Sequence, residues 1–554
     1  MRRQVLILNV TRMGDLIQMG TLLARLRYEW PDVEIDVVVD RQFESTARLL
    51  PGIRTVHPYD FDRLVNDCRA MSRDVVELYR AVKRWATPLT KAGYDRLINL
   101  TFTRRSGLLA KYLQVPDIRG VVSAPDGSTS IRDPWLSYFT DLHHYRRFNR
   151  FNLVDLYALG GSGPGPHAPL SLRVTENARR WVDGCLGGNR PADGWVAVQI
   201  GASEAIKAWR PASFGQTMAK LSRRASIGFV LIGTQAERAA VLESLAEYRR
   251  AGGTAAILDF VDRTPLPQLI ALLARARLLL TNDTGPMHIA VAVGTPVIDL
   301  SVGHVDFRET GPYGHGHWVV QPDLECAPCG FDRVCLHHAC KDRVDVDELA
   351  ELVAHVLGRG ELPQLVSGVK LFQSEIDEDG LVRFRQRAGR IDAFNEWYGA
   401  WWRRYWYAEL VGQPMQTGAG QECPPDRSHV EEMYRHLEPL IGLISARVAD
   451  LNRAATQVRL RATDLQELHR SLTEVQRRIG HVTEASPAFG PLAVALRREL
   501  ACDEGLTIAA MARARGQAFL RWIRRVQRVH AALCTRQGAT PSAGATEPRP
   551  ACHA

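Results

Sequence analysis

Thr281-Asn282-Asp283-Thr284-Gly285-Pro286-Met287-His288-Ile289-Ala290 carries the residue types that hold a phosphate group. The apolar run Ala276 to Leu280 ahead of it reads as a strand. The residues after it continue as a helix through Val293. A small polar loop with glycine at a helix start leaves backbone N–H groups free, and the positive end of the helix dipole points the same way. Pro286 suits the first helical turn, where no N–H is needed. Gly294-Thr295-Pro296 stops the helix and Val297-Ile298-Asp299-Leu300 reads as the next strand. A second set stands near the chain start, where Thr11-Arg12-Met13-Gly14-Asp15 follows the apolar run Val5 to Val10. A full G-x-G-x-x-G turn is missing there, which argues against a standard NAD site. Asp15 opens a helix at the carboxyl end of a strand, where α/β sheets place ligands. It reads either as a capping acid or as a carboxylate for proton transfer.

The elements that must position these residues alternate. After the helical pattern Leu16 to Trp30, Pro31-Asp32 ends the helix and Val33 to Val39 supplies a strand. Arg96 to Leu100 is a further strand, with Arg104-Arg105-Ser106 as the loop before a helix from Gly107 to Leu113. Gly160-Gly161-Ser162-Gly163-Pro164-Gly165-Pro166 has the composition of a hinge. A second alternation follows: Trp195 to Ile200 ending in Gly201-Ala202-Ser203, then Gly228 to Gly233 followed by Thr234 to Glu237, then the two strands around the phosphate loop. The expected fold class is α/β, with two Rossmann-like lobes at 1–165 and 166–362 facing a cleft. A hairpin around Asp377-Glu378-Asp379-Gly380 and an aromatic helix from Phe394 to Tyr407 are expected at 363–412. The i, i+4 spacing of the aromatic residues favours packing over a sugar-stacking platform. A linker is read at 413–428, a mainly α-helical bundle at 429–536 and a disordered tail at 537–554.

At 554 residues the chain is too long for one core. Its 45% hydrophobic and 24% charged residues suit a soluble globular protein. No apolar run reaches bilayer length. The start Met1-Arg2-Arg3 resembles a signal peptide only until Asn9, Arg12 and Asp15 break it, so a cytoplasmic location is expected. The net charge of +9 favours an anionic partner. Nucleic acid is set aside because no recognised binding module is present.

With both loops placed, the chain resembles glycosyltransferase family 9, whose best-known members are the ADP-heptose:lipopolysaccharide heptosyltransferases. The matching residues are Arg12 to Asp15, Asn282 to Ala290 with Gly294-Thr295-Pro296, and Thr310-Gly311-Pro312-Tyr313-Gly314 with the cysteines behind it. The similarity spans residues 1–357. It implies a GT-B fold and an inverting transfer that needs no bound metal. The donor would be a nucleotide-diphosphate sugar, with heptose the first choice. The acceptor would be an anionic glycolipid of the bacterial envelope such as lipopolysaccharide core. The resemblance assigns Asp15 as general base, Lys207 to the donor phosphates, Glu237 to the donor ribose, and Asp283, Thr284, Gly285 and His288 to diphosphate and sugar. Glu237 reads equally as a helix-dipole partner. Arg104 and Arg105 are either acceptor-binding forks or a solvated pair. The loop Gly201-Ala202-Ser203 departs from the hydroxyl residues that heptosyltransferases often carry there. Another nucleotide sugar, used in polysaccharide or glycoprotein assembly, is the alternative. A non-catalytic scaffold that binds sugar nucleotides is a further reading, against which stands the joint presence of Asp15, Lys207 and Asp283.

Cys326, Cys329, Cys335 and Cys340 give C-x2-C-x5-C-x4-C, either a structural zinc site or redox-labile thiols. Between Glu504 and Glu547 no acid occurs, while Arg521, Arg524, Arg525 and Arg528 share one helical face opposite Trp522, Ile523, Val526, Val529 and Leu533. That helix either lies on an anionic inner-membrane surface, making the protein peripheral there, or belongs to a bundle.

Overall fold

The run Val5-Leu6-Ile7-Leu8 is apolar without alternation because its strand is covered on both faces. In the computed structural model, β1 (Gln4–Asn9) sends Val5 and Ile7 into one core and Leu6 and Leu8 into another. The structure describes residues 2–60, 75–123, 128–141, 146–188, 191–330, 334–363, 368–415, 426–456, 462–483, 486–501 and 508–534. The linker read at 413–428 falls mostly outside these residues, and the tail at 537–554 entirely so.

The first sheet contains β1, β2 (Glu34–Asp40), β3 (Thr55–Tyr59), β4 (Arg96–Asn99), β5 (Asp117–Ser123) and β6 (Thr129–Arg132). Its order is β3-β2-β1-β4-β5-β6, parallel except for β6. The second lobe repeats the pattern with β7 (Gly194–Gln199), β8 (Ile227–Ile232), β9 (Ile257–Asp259), β10 (Leu278–Asn282), β11 (Val297–Leu300) and β12 (Trp318–Pro322). Here the order β9-β8-β7-β10-β11-β12 extends into β13 (Val369–Ile376) and β14 (Val382–Ala388). The hairpin placed by sequence outside the second lobe is therefore the antiparallel edge of its sheet. The two Rossmann-like lobes form the GT-B arrangement expected from the sequence. Each sheet reverses its strand order once, between β1 and β4 and between β7 and β10, and such switch points are where α/β sheets bind ligands.

The helix Ala393–Val411 buries Tyr398, Trp401, Trp402, Tyr405 and Trp406. Trp406 meets Tyr138 at 5.9 Å between ring centroids and Tyr407 meets Trp135 at 6.0 Å, so the helix packs on the first lobe. Asp155 ties elements of both halves: Tyr313 donates to its Oδ1 and the Val382 N–H to its Oδ2, each at 2.9 Å.

The chain divides into two compact units, and the second comprises residues 417–500 and 506–554. Its described part consists of helices Arg427–Thr456, Ala462–Thr483, Gly490–Ala501 and Ile508–Cys534. Trp522, Ile523, Val526, Val529 and Leu533 are all buried within it. The apolar face that the sequence offered to a membrane is occupied by protein packing. Arg521 and Arg525 do not form a free basic face either, since both pair with Glu499 from the preceding helix. The acid that neutralises them lies just outside the acid-free stretch. No helix among the described residues is long and apolar enough to cross a membrane. Trp522→Ala should destabilise this unit by about 3–5 kcal/mol, the cost of emptying a large aromatic site. Urea unfolding followed by circular dichroism checks it, and a loss under about 1 kcal/mol would mean the face is not core.

Candidate active site

All four strands at the switch points end in an amide side chain that organises the loop above it, Asn99 of β4 by accepting from the Thr101 N–H at 3.0 Å and donating to the Ser106 hydroxyl at 3.1 Å. Asn9 closes β1. Its Nδ2 donates to the carbonyl of Asp15 at 3.1 Å and its Oδ1 accepts from the Thr11 hydroxyl at 2.5 Å. This folds Thr11-Arg12 into the start of helix α1 (Met13–Gln18), which runs on into α2 (Gly20–Glu29). Asp15 stands at the third helical position, where its Oδ2 accepts from the Arg12 N–H at 3.3 Å. It is thus a capping acid by geometry while it occupies the ligand end of β1. Burial pushes its carboxyl above the usual range, against hydrogen bonds from Thr11 and Arg12 that pull the other way.

Gln199 does the same work at the end of β7. Its Oε1 accepts from Thr281 at 3.2 Å and also from Thr284, and its Nε2 donates to Glu237 Oε1 at 3.2 Å. Glu237 completes a capping box, accepting from the Thr234 N–H at 2.6 Å and the Thr234 hydroxyl at 3.1 Å. A side chain at Gly201 would bring Cβ to 2.3 Å from Glu237 Oε1, so the bare loop is what lets Glu237 approach. Asn282 closes β10 and donates to the carbonyls of Ile200 and Gly201 at 3.0 Å, while its Oδ1 accepts from the Trp209 N–H at 3.0 Å. This pins the loop carrying Lys207, at the end of the short helix Ala205–Lys207.

Helices α3 (Arg104–Leu113) and α4 (Leu153–Gly161) belong to the first lobe, and in the second the loop after β10 opens helix α5 (Gly285–Ala292). Its N-cap residue Thr284 turns its hydroxyl back to Gln199 and Thr281 and makes no cap bond. Pro286 has no N–H and the Met287 N–H donates to the Thr284 carbonyl at 3.1 Å, so what the missing cap bond leaves to an anion is the Gly285 amide and the positive end of the helix dipole. Lys207 is 9% exposed, and among the described residues no carboxylate lies within ion-pair distance of it. Its charge nevertheless bears on Asp283 and His288. Asp283 accepts from Thr310 at 3.3 Å, and burial raises its carboxyl to about 6, opposed first by Lys207. Asp299 lies opposite Thr281 in the β10–β11 register, is fully buried and has no hydrogen-bond partner on either oxygen. Burial and the neighbouring Asp283 push its pKa well up.

The two lobes meet where α1 rests on α5. A Cβ on Gly14 would stand 3.0 Å from His288 Cδ2, and one on Gly285 would stand 2.6 Å from Met13 Cε. The structure thus brings together Asp15, Lys207, Asp283, Thr284, Gly285 and His288, with Glu237 linked through Gln199. Arg104 and Arg105 lie exposed in the first turn of α3, not in the preceding loop, because Thr103 caps a helix that starts three residues earlier than the sequence suggested. Two cations there oppose the helix dipole.

The cysteine loop adjoins the site. The Cys329 N–H donates to Gly303 at 2.9 Å, and Gly303 packs on the backbone of Ile206, next to Lys207. Arg146 of the first lobe forms a two-pronged pair with Glu309 at 2.9 Å and donates to the Cys329 carbonyl at 3.3 Å. Burial, then the nearby Cys326, Cys340 and Cys335, push the Cys329 thiol up to about 11. The four sulfurs are neighbours, yet among the described residues no group of three or more His, Cys, Asp or Glu is arranged to hold a metal ion as it stands. Sequence reasoning missed Gln199 and the Arg146–Glu309 pair. Gln199 was legible as a polar residue closing an apolar strand, whereas an ion pair 163 residues apart leaves no local signal.

Residues 82–340 match the family profile of glycosyltransferase family 9 (heptosyltransferase). The chain carries a family 9 domain. It is a glycosyltransferase. Lipopolysaccharide heptosyltransferase 3 of Escherichia coli K12 is 27% identical over 310 residues, covering 53% of this chain and 82% of the relative. The lipopolysaccharide core heptosyltransferase OpsX of Haemophilus influenzae is 22% identical over 339 residues, covering 60% and 88%. The solved structure of E. coli ADP-heptose lps heptosyltransferase II covers 64% of this chain and 98% of its own, at 17% identity and a TM-score of 0.47. Gly14 and Gly285 both fall within the motifs that carried the resemblance, Gly285 inside the matched residues and Gly14 ahead of them.

Proposed function

We propose that the enzyme transfers a sugar, with heptose the first choice, from a nucleoside-diphosphate sugar to an anionic glycolipid of the bacterial envelope such as lipopolysaccharide core. The observation that carries this is the pairing across one cleft of a carboxylate with an anion site. Asp15 stands on the first lobe, while Lys207 and the uncapped α5 stand on the second. The relatives named for lipopolysaccharide heptosyl transfer support the sugar and the acceptor class.

In this reading the Asp15 carboxylate takes the proton from the acceptor hydroxyl as that oxygen attacks the anomeric carbon. The bond to the diphosphate breaks on the opposite face, so the configuration inverts. Lys207 and the positive end of α5, with the Gly285 amide, offset the charge that develops on the leaving diphosphate, so the transfer step uses no metal. Glu237 receives the ribose, Asp283 and His288 line the sugar, and Arg104 and Arg105 face phosphate or carboxylate groups of the acceptor. The cysteine loop takes no part in the transfer. Its donor set is right in kind for a structural zinc, which would have to draw the four thiols inward.

Asp15→Asn should cut kcat by roughly 10²–10⁴ and leave donor binding nearly intact, since only proton transfer is lost. Because burial raises the Asp15 pKa, kcat/KM of the wild type should fall with acid at a pH above the ordinary carboxylate range, as the base becomes protonated. A pH–rate series on both forms checks this, and near-normal turnover by Asp15→Asn would remove it as base. Lys207→Ala should weaken nucleoside-diphosphate binding by about 1–3 kcal/mol, measured by calorimetry. Unchanged affinity would move the phosphate site elsewhere. Elemental analysis of protein made in zinc-supplemented cells should find one zinc per chain. Absence of metal with four rapidly titrating thiols would leave the loop metal-free.

A further inference from the structure

Asp299 has no part in the transfer as read above, yet it sits beside the donor site. On β11, Ile298 and Leu300 turn into one core and Val297 into the other. Asp299 therefore shares the face of Val297, whose cluster includes Met287, Ile289 and Ala290 of α5. It stands in register with Thr281, whose hydroxyl meets that of Thr284 at 3.2 Å where α5 begins. The loop that follows β11 reaches the chain next to Lys207: a Cβ on Gly303 would stand 2.4 Å from the carbonyl oxygen of Ile206. Asp299 is 0% exposed, and neither of its oxygens has a hydrogen-bond partner. A carboxylate that has lost its water and gained nothing in its place takes up a proton.

We propose that Asp299 is a positioning residue of the donor site that acts through Lys207: as the neutral acid it leaves the ammonium charge to the diphosphate, and as the carboxylate it draws on that charge and repels the anion. This rests on the reading of Lys207 as the cation for the donor diphosphate. Burial first, and then Asp283, hold the proton on Asp299, while Lys207 opposes them. Of the two acids Asp283 has a donor, the Thr310 hydroxyl at 3.3 Å, so the charge that balances Lys207 falls on Asp283 and the proton on Asp299. The other elements packed on Asp299 bring no further charge. β12 places Val319 opposite it, and the titratable residue of α5 is His288, which burial and then Lys207 keep neutral with a pKa of about 4. Asp15 and Arg12 bear on Asp283, and Asp283 on Glu309, one step further out. The sign of the linkage follows. Loss of the Asp299 proton as pH rises weakens anion binding, and an anion that binds holds that proton more firmly.

The probe is inorganic pyrophosphate, the portion of a nucleotide sugar that Lys207 is read to hold. Its binding to the full-length protein is followed by calorimetry from about pH 6 to about pH 9. Asp299→Asn keeps the shape and stays neutral at every pH. Both forms should bind alike in acid, and the wild type should weaken relative to Asp299→Asn by about tenfold towards the alkaline end. Asp299→Ala, neutral but smaller, should follow the asparagine variant and serves if that variant folds poorly. Titration of pyrophosphate, Asp283 and Lys207 is common to all forms and cancels in the comparison. Infrared difference spectra of the wild type against Asp299→Asn, without ligand, should show the carbonyl stretch of a protonated carboxyl group at neutral pH. That band should fade over the interval in which pyrophosphate binding weakens. Parallel binding curves for the wild type and the variants, or a carboxylate band for Asp299 at neutral pH, would overturn the proposal. If pyrophosphate binds Lys207→Ala as well as the wild type, the reading of Lys207 falls and the proposal with it. Parallel curves with binding that still needs Lys207 would remove the role of Asp299 alone.

Discussion

Everything at the candidate site depends on how closely α1 can lie on α5. Gly14 leaves out a side chain whose Cβ would press on His288 at 3.0 Å, while a Cβ at Gly285 would have to displace the flexible end of Met13. That contact places a carboxylate from one sheet beside the uncapped start of α5 from the other. Leu16, Ile17 and Met19 from the first lobe and Met287, Ile289 and Ala290 from the second then join a single hydrophobic cluster. This juxtaposition is thus built into the core rather than assembled by surface loops. Core packing tolerates little displacement, so it suits a reaction that depends on sub-ångström placement.

The charges around the cleft follow from this burial. Asp15, Asp283, Asp299 and Glu309 all have raised carboxyl pKa values, and in each case burial is the largest cause. Lys207 opposes the rise at Asp283 and Asp299. Arg146 does so at Glu309 through a direct two-pronged contact. An anionic diphosphate entering beside Lys207 would compete with these carboxyls for its charge. Acids whose pKa values stand above the ordinary range give up part of their hold on Lys207 more readily, which eases the approach of an anion.

Much of this was legible in the sequence. The apolar runs at Val5–Leu8, Trp195–Ile200 and Leu278–Leu280 gave the buried parallel strands, because period and length together leave few other uses for them. Asp15, Lys207 and the Asp283–His288 stretch sit where strand ends predict ligands. What stayed hidden was set by partners distant in the chain. Glu499 neutralises Arg521 and Arg525, and the bundle covers Trp522, so an amphipathic helix that suits a membrane on a helical wheel is core. The hairpin after residue 368 reads locally as a separate feature. Only its pairing with β12 shows that it finishes a sheet.

The central claim is a single displacement across the cleft, with Asp15 accepting a proton and never forming a bond to the sugar. The anomeric configuration of the product tests it most directly. A nucleotide sugar of known anomeric form is turned over by the purified enzyme, and the new linkage is read by NMR coupling constants. The account predicts inversion. A product that retains the donor's configuration would require a covalent or front-face mechanism and would contradict it.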